Sequence, residues 1–306
     1  MKKSFLIMLI SASISFAQTL EVVNVEQVTN LEQGEFYYPI GNYDDSKLLF
    51  SSENYTGLWI LDNQTGKVED ISNGIAAGYE PSFTTNEKVI FRNDTFINNK
   101  RFIAIMEYDL VKLEKKEIDS ELRNISQIKV TNGNMVTYSQ NQNLIGIKES
   151  EKLVNKVSSY VPVVMIENSD LVLYQNGNRN VLNPFGDGNY LWASVSPDGG
   201  KLLFTFAGKG SFVTDLNGSK ILEVQDAHYP QWSNNGEWIT YMKDYDDGEN
   251  VISSDLFVMS INKKEEINIT NTEDIHEMYP VWAKSKDVIY CSSTVGVIYK
   301  IELKLN

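Results

Sequence analysis

"HYPQWSNNGEWITYMKD", running from His228 to Asp244, decides the fold. A proline, two tryptophans, two tyrosines and the turn Ser233-Asn234-Asn235-Gly236 are compressed into that one span. Aromatic and β-branched runs on either side of such a turn are strand signals, and Asn-Asn-Gly tolerates the left-handed backbone that a hairpin needs. The pattern recurs. "YPQWSNNGEWITY" from Tyr229 is matched by "YPVWAKSKDVIYC" from Tyr279 and "WASVSPDGGKLLF" from Trp192. "YPIGNYDDSKLLF" from Tyr38 and "EPSFTTNEKVIF" from Glu80 follow the same plan. A third apolar run comes next ("LWILD", "LFVMSI", "GVIYKIEL"), then a polar fourth such as "GKVEDIS" or "KEEINIT". Four antiparallel strands repeated about every 40 residues predict an all-β propeller.

Units begin near Tyr38, Tyr79, Tyr190, Tyr229 and Tyr279. Residues 126–157 read as a further full blade and 161–188 as a shortened one. The ring then has seven blades, or six if the short unit merges with its neighbour. The last unit supplies only three strands, while "LEVVNVEQVTN" precedes the first unit as an isolated strand. Pairing these two closes the ring and removes two exposed sheet edges. The charged run 112–123, "KLEKKEIDSELR", is open between a short helix and a strand edge. The expected organisation is one propeller domain over 18–306.

Met1-Lys2-Lys3, the apolar "SFLIMLISASISF" and the small-residue site Ser15-Phe16-Ala17 predict a cleaved signal peptide over 1–17. No cysteine lies near that junction, which disfavours a lipoprotein anchor, and no later segment has the apolar length of a membrane span. The expected location is the bacterial periplasm or the outside of the cell. Cys291 is the sole cysteine, so no internal disulfide forms, and its place in "DVIYCSS" reads as a buried small hydrophobe. A net charge of -14 repels nucleic acid and anionic membranes, so neither is an expected partner. The six Asn-x-Ser/Thr sequons need no glycan to explain them in so Asn-rich a chain.

The stretch from Tyr229 through "SSDLFVMSINKKEEINITNTEDIHEMYPVW" resembles two successive TolB-type, WD40-like (PD40) propeller repeats. Pro230, Trp232, Ser233 and Gly236 match the opening of that repeat, Asp255 to Met259 its third strand, and Ile267 to Thr270 its outer strand. "SVSPDGGKLLF" at 194–204 matches the opening closely. The resemblance is strong over 190–290, moderate over 36–95 and weak over 100–185. TolB itself carries an α/β domain ahead of its propeller, and the short lead here implies a different protein. Prolyl oligopeptidase-like enzymes set a hydrolase domain beside similar blades. The chain has no Gly-x-Ser-x-Gly elbow, which argues against a serine hydrolase.

His228 and His276 are the only histidines, and each sits just ahead of a unit opening. Imidazoles from adjacent blades suit a divalent metal. The resemblance to oligogalacturonate lyases, propellers that hold a catalytic metal with several histidines and a glutamine, implies His228, His276 and Gln231 as ligands. That set is incomplete, and two polar residues on the rim is the plainer reading. The acidic loop "KDYDDGEN" (243–250) fails the EF-hand register, because counting back from Gly248 gives Asp247, Tyr245 and Lys243. It reads instead as a hairpin loop.

The recurring Trp232 and Trp282 read as inter-blade packing. Trp192 recurs at the same place, and the recurring tyrosines can face the channel mouth. The candidate ligand site is therefore Tyr38, Tyr79, Tyr190, His228, Tyr229, Gln231, His276 and Tyr279. No phosphate loop, zinc pattern, dinucleotide fingerprint or catalytic set can be picked out. The sequence favours an exported scaffold without a cofactor that binds another protein, an envelope component among the candidates, or a ligand. The alternative is a metal-dependent propeller enzyme, a polysaccharide lyase or hydrolase working at the channel mouth.

Overall fold

Each apolar run delimited by a polar turn forms a strand, and the strands group into seven separate antiparallel sheets. The structure, a computed structural model, describes residues 20–84, 87–131, 135–148, 151–154 and 161–305. The expected signal peptide lies outside the described residues. β1 (Leu20–Gln27) comes first. Blade 1 is β2 (Tyr37–Gly41), β3 (Lys47–Ser51), β4 (Leu58–Asp62) and β5 (Val68–Ser72). Blade 2 is β6 (Ser82–Thr84), β7 (Lys88–Ile97), β8 (Lys100–Asp109) and β9 (Glu114–Leu122). The charged run left open by the sequence is thus a strand.

Blade 3 is β10 (Lys129–Thr131), β11 (Met135–Gln140), β12 (Asn143–Lys148) and β13 (Glu151–Val154). Blade 4 has three strands among the described residues, β14 (Val163–Glu167), β15 (Asp170–Gln175) and β16 (Asn178–Val181), and is the shortened unit. Blade 5 is β17 (Tyr190–Val195), β18 (Lys201–Phe206), β19 (Gly210–Asp215) and β20 (Lys220–Val224). Blade 6 is β21 (His228–Trp232), β22 (Trp238–Asp246), β23 (Val251–Ser260) and β24 (Glu266–Asn268). Blade 7 is β25 (Glu277–Trp282), β26 (Val288–Ser293) and β27 (Ile298–Leu305), with β1 as its outer strand.

That last pairing is the closure expected from the sequence: Leu20 faces Leu305 and Gln27 faces Tyr299 in antiparallel register. Cores form between blades rather than within them. Trp238, Leu256 and Val258 of blade 6 pack with Trp282, Ile289, Cys291 and Ile301 of blade 7, and Leu20 of β1 seals the cluster. Cys291 is fully buried there, and burial pushes its thiol well above the ordinary range. Trp282 is buried and Trp232 packs against the core shared by blades 5 and 6, as inter-blade wedges do.

The turns after the first strands are capped by their own side chains. In blade 6, Ser233 Oγ accepts from Trp238 N and Asn235 Oδ1 from Glu237 N. In blade 5, Ser196 Oγ accepts from Lys201 N and Asp198 Oδ1 from Gly200 N. The blade 1 turn adds a latch: the buried Asp45 carboxylate accepts from Lys284 N (2.9 Å), Ser285 N (2.8 Å) and Ser285 Oγ (2.6 Å) of blade 7.

Candidate functional site

Successive strands alternate direction, so one end of the ring collects the starts of the first strands and the hairpins joining second to third strands. That end is the mouth. At the start of the first strand, the register against the second slips between Tyr37 and Ile40, Leu191 and Ser194, His228 and Gln231, and Met278 and Val281. Each slip is a β-bulge, a device that re-aims a side chain at the cost of ladder pairing.

At the centre of each bulge sits a non-glycine residue with positive φ: Tyr38 (57°), Trp192 (50°), Tyr229 (52°) and Tyr279 (55°). Glu80 (50°) takes the same place before Pro81 in blade 2, where blades 1, 5, 6 and 7 present rings. Side chains other than Gly rarely adopt this conformation, which costs about 1–2 kcal/mol per residue. Its repetition in five blades marks a feature maintained against strain.

The re-aimed rings meet across blade boundaries. Tyr79 contacts Tyr55 edge-on (5.3 Å between centroids), and Tyr55 stacks on Tyr38 (4.4 Å). Tyr38 meets Tyr279 (4.3 Å), Tyr279 meets Tyr229 (5.4 Å), and Tyr229 meets Trp192 (5.7 Å). The His228 ring lies 6.4 Å beyond Trp192. This belt lines two adjoining cavities of about 570 and 540 Å³ that share Tyr55, Leu191, Trp192 and Tyr229. On the side of blades 3 and 4 it gives way to Ser126, Gln127 and Ile166.

Two charged assemblies flank the rings. On blade 2, the buried Asp94 carboxylate is shared by Arg92 (Nε to Oδ1 2.9 Å, Nη2 to Oδ2 3.0 Å) and Arg101 (Nε to Oδ2 2.9 Å). Arg92 also lies over the Tyr79 ring at 5.3 Å. On blade 6, His228 Nδ1 is 2.6 Å from Asp244 Oδ1, and this bond holds the imidazole above its ordinary pKa.

Deeper in the channel, the Lys129 ammonium donates to Val164 O (2.9 Å) and Ala193 O (2.6 Å), backbone carbonyls of blades 4 and 5. Burial lowers its pKa to about 8. Burial likewise raises the Glu80 carboxyl, and the nearby Glu80 charge, followed by burial, pushes Tyr79 up to about 12.

Of the eight candidates from the sequence, Tyr38, Tyr79, His228, Tyr229 and Tyr279 line the two cavities. Tyr190 reaches the cavity wall only from within the core. It is fully buried against Phe204 and Phe206, and its hydroxyl is spent on Phe185 N (2.9 Å) and Gly186 O (3.1 Å). It stands two residues before the bulge, and Trp192 is the re-aimed residue of its blade. Gln231 and His276 line neither cavity; Gln231 pairs with Thr240 inside the sheet, and His276 lies in the loop ahead of β25.

His228 therefore lines a cavity and His276 does not. Among the described residues, no group of three or more His, Cys, Asp or Glu side chains is placed to hold a metal ion. The 243–250 loop is a hairpin whose Asp246 and Asp247 carboxylates accept from Gly248 N, Glu249 N and Asn250 N of their own turn. Tyr55, Arg92, Asp94, Arg101 and Asp244 line the cavities without being pointed to by the repeat. Asn54-Tyr55 sits in a hairpin turn outside the repeated opening, and the rest lack any motif.

No family model and no curated protein sequence matches the chain. Solved structures do. An oligogalacturonate lyase from Vibrio parahaemolyticus is 13% identical with a TM-score of 0.62, covering 94% of this chain and 97% of that one. An oligogalacturonate lyase in complex with manganese is 14% identical, with the same TM-score of 0.62 and the same coverage, 94% and 97%. The Cps50 (Swd1) β-propeller domain from Myceliophteria thermophila is 10% identical with a TM-score of 0.64, covering 93% and 99%. TolB from Acinetobacter baumannii is 18% identical with a TM-score of 0.51, covering 81% of this chain and 57% of that chain. At such identities the likeness is one of fold: this chain is a seven-bladed β-propeller similar in structure to TolB and to a Swd1 propeller domain.

Proposed function

We propose that this chain is an exported propeller scaffold that binds a protein or ligand at its mouth, and that the aromatic belt is the binding surface. One observation carries the reading: five blades hold a strained residue at one position, and four of the five spend that strain on aiming a ring into a shared basin. Rings of this kind bury large areas at low entropic cost, while the Arg92–Asp94–Arg101 assembly and the His228–Asp244 pair offer polar contacts at the rim. Export rests on the 1–17 sequence. No helix among the described residues is long and apolar enough to cross a membrane, which leaves strand-based spans unaddressed.

The test is co-purification of the mature chain with material from its native envelope, set beside the Tyr38→Ala/Trp192→Ala variant. Material retained by the wild type and lost from an equally stable variant supports the reading. Equal retention by both overturns it.

A second reading, a metal-dependent polysaccharide lyase or hydrolase, draws on the fold likeness to the lyase in complex with manganese. It also draws on the His228–Asp244 pair, since metal-bound imidazoles commonly pair their other nitrogen with a carboxylate. Among the described residues, no group of three or more His, Cys, Asp or Glu side chains completes a donor set around that pair. Titration with manganese, read by calorimetry and by the His228 ring resonances, separates the two readings. Saturable binding that perturbs His228 favours the enzyme, and an unchanged spectrum favours the scaffold.

A further inference from the structure

Two of the seven hairpins at the mouth outgrow the propeller. In blade 5 the second and third strands pair over six positions, Lys201↔Asp215 to Phe206↔Gly210. In blade 2 the same pair of strands runs for ten, Lys88↔Asp109 to Ile97↔Lys100. In blade 6 it runs for nine, Trp238↔Ser260 to Asp246↔Val251. At a rise near 3.3 Å per residue, these hairpins stand roughly 13 Å and 10 Å beyond the blade 5 hairpin.

The tips are opposites in charge and alike in apolarity. From Thr95 to Phe102 the blade 2 tip carries Lys100 and Arg101 and no carboxylate. From Asp244 to Ser254 the blade 6 tip carries Asp244, Asp246, Asp247 and Glu249 and no Lys or Arg. The first exposes Phe96 (60%) and Ile97 (57%), the second Tyr245 (73%) and Ile252 (55%). Ile75, Leu191 and Val295 are further exposed apolar side chains at this same end. Large side chains left in water on a projecting hairpin mark a surface that is covered in use.

We infer that the occupant is a second copy of this chain, docked mouth to mouth about a two-fold axis. Blades 2 and 6 are each two steps from blade 4. A two-fold axis lying in the interface and passing over blade 4 therefore sets blade 2 of each copy against blade 6 of the other. Both contacts then form by the same operation: a basic-apolar tip meets an acidic-apolar tip, twice. A net charge of -14 opposes self-association at long range, but charges beyond about 8 Å are screened at physiological ionic strength. Opposed tips in direct contact are within that distance. The two pairs of tall hairpins would stand as pillars that hold the two basins face to face, with the gap between the pillars open. This inference stands apart from the binding reading, since the tips, not the rings, make the contact.

The experiment is sedimentation of the mature wild-type chain, of Lys100→Glu, of Glu249→Lys, of the double variant, and of the two single variants mixed. Both side chains are exposed, so the substitutions leave the fold intact. The wild type is expected to sediment as a concentration-dependent dimer, and each single reversal to weaken it at least tenfold, because the symmetry breaks two contacts at once. The double variant restores the dimer. So does the mixture, because a Lys100→Glu tip meets a Glu249→Lys tip at one contact and native tips meet at the other. A wild type that stays monomeric at all concentrations overturns the proposal. So does a dimer insensitive to both reversals, or a monomer that instead binds zwitterionic lipid vesicles through Phe96 and Ile97.

Discussion

The two ends of the first strands are built on opposite principles. At the turn end, polar groups are consumed locally: Ser233, Asn235, Ser196 and Asp198 cap their own turns, and Asp45 locks blade 1 to blade 7. At the mouth end the backbone is strained at Tyr38, Trp192, Tyr229 and Tyr279, and rings and ion pairs face open cavities. Local satisfaction makes the turn end repeatable. Positive φ occurs at the turn end too, at Asp45 (57°), but there the side chain is consumed in the blade 1–blade 7 latch, whereas at the mouth the strained residues present rings to the cavities.

The difference is sharpest between two tryptophans. Trp238 is 2% exposed and fills the wedge between blades 6 and 7, whereas Trp192 is half-buried on the belt. Trp238→Ala should lower unfolding free energy by about 3–5 kcal/mol in a denaturant titration, the range for a large buried aromatic. Trp192→Ala should cost less, about 1 kcal/mol, since the ring is only half-buried and alanine keeps both the Cβ and the strained φ, yet it should abolish the proposed binding at the mouth. If the two variants lost stability equally, the division between scaffold end and binding end would fail.

The turn end has its own test. Asp45→Ala leaves two backbone N–H donors and a hydroxyl without their acceptor at the blade 1–blade 7 seam, and about 2–3 kcal/mol should be lost. Asp45→Asn, which keeps one carbonyl acceptor, should recover part of that. Melting temperatures of the three proteins, with binding measured alongside, check that the seam changes stability and leaves the mouth's affinity alone.

How legible this was in the sequence follows from the same contrast. Blades 5 to 7 and the closing strand could be read directly, because turn caps and wedge tryptophans must be restated in each blade for the blades to pack. The short blade 4 was readable as a shortened unit for the same reason. The mouth was only half readable. Tyr38, Tyr229 and Tyr279 stand beside the repeated proline and so stand out. Tyr79 precedes the equivalent position by one residue, leaving Glu80 at the positive-φ position. Tyr190 falls two residues early, on the regular part of the strand, so it stays in the core while the bulge re-aims Trp192. Arg92, Arg101 and Lys129 reach the channel from strands whose own repeat is faint, so only three-dimensional closure assembles them.

Glu80 allows the electrostatics of the channel to be separated from its packing. Its charge is the largest influence holding Tyr79 up at about 12, and it also supports the proton on Lys129. Glu80→Gln should bring Tyr79 back toward 10 in an ultraviolet titration and let Lys129 fall below about 8. Stability at neutral pH should fall, because Lys129 and Arg92 remain while the buried counter-charge they face is removed. Tyr79 unmoved by the substitution would place its shift in burial alone and break the link between blade 2 and the channel.

The smallest effect tests whether the rim of blade 6 is electrostatically coupled to its hairpin. Asp244 raises the His228 pKa above its ordinary value near 6.5, so the folded state holds this proton more tightly than the unfolded chain. The stabilisation from the pair is then fully present below about pH 6.5 and is lost as pH rises through the folded value. Asp244→Asn should accordingly lower stability below that point and converge with the wild type above it. The imidazole is 39% exposed, so solvent screening keeps the difference under about 1 kcal/mol. Paired unfolding curves at several pH values, with the His228 ring followed by NMR, give both the sign and the midpoint. A gap that widened with rising pH would mean that the proton is not shared as the 2.6 Å contact requires, and that the acidic hairpin is anchored to the rim by something other than this pair.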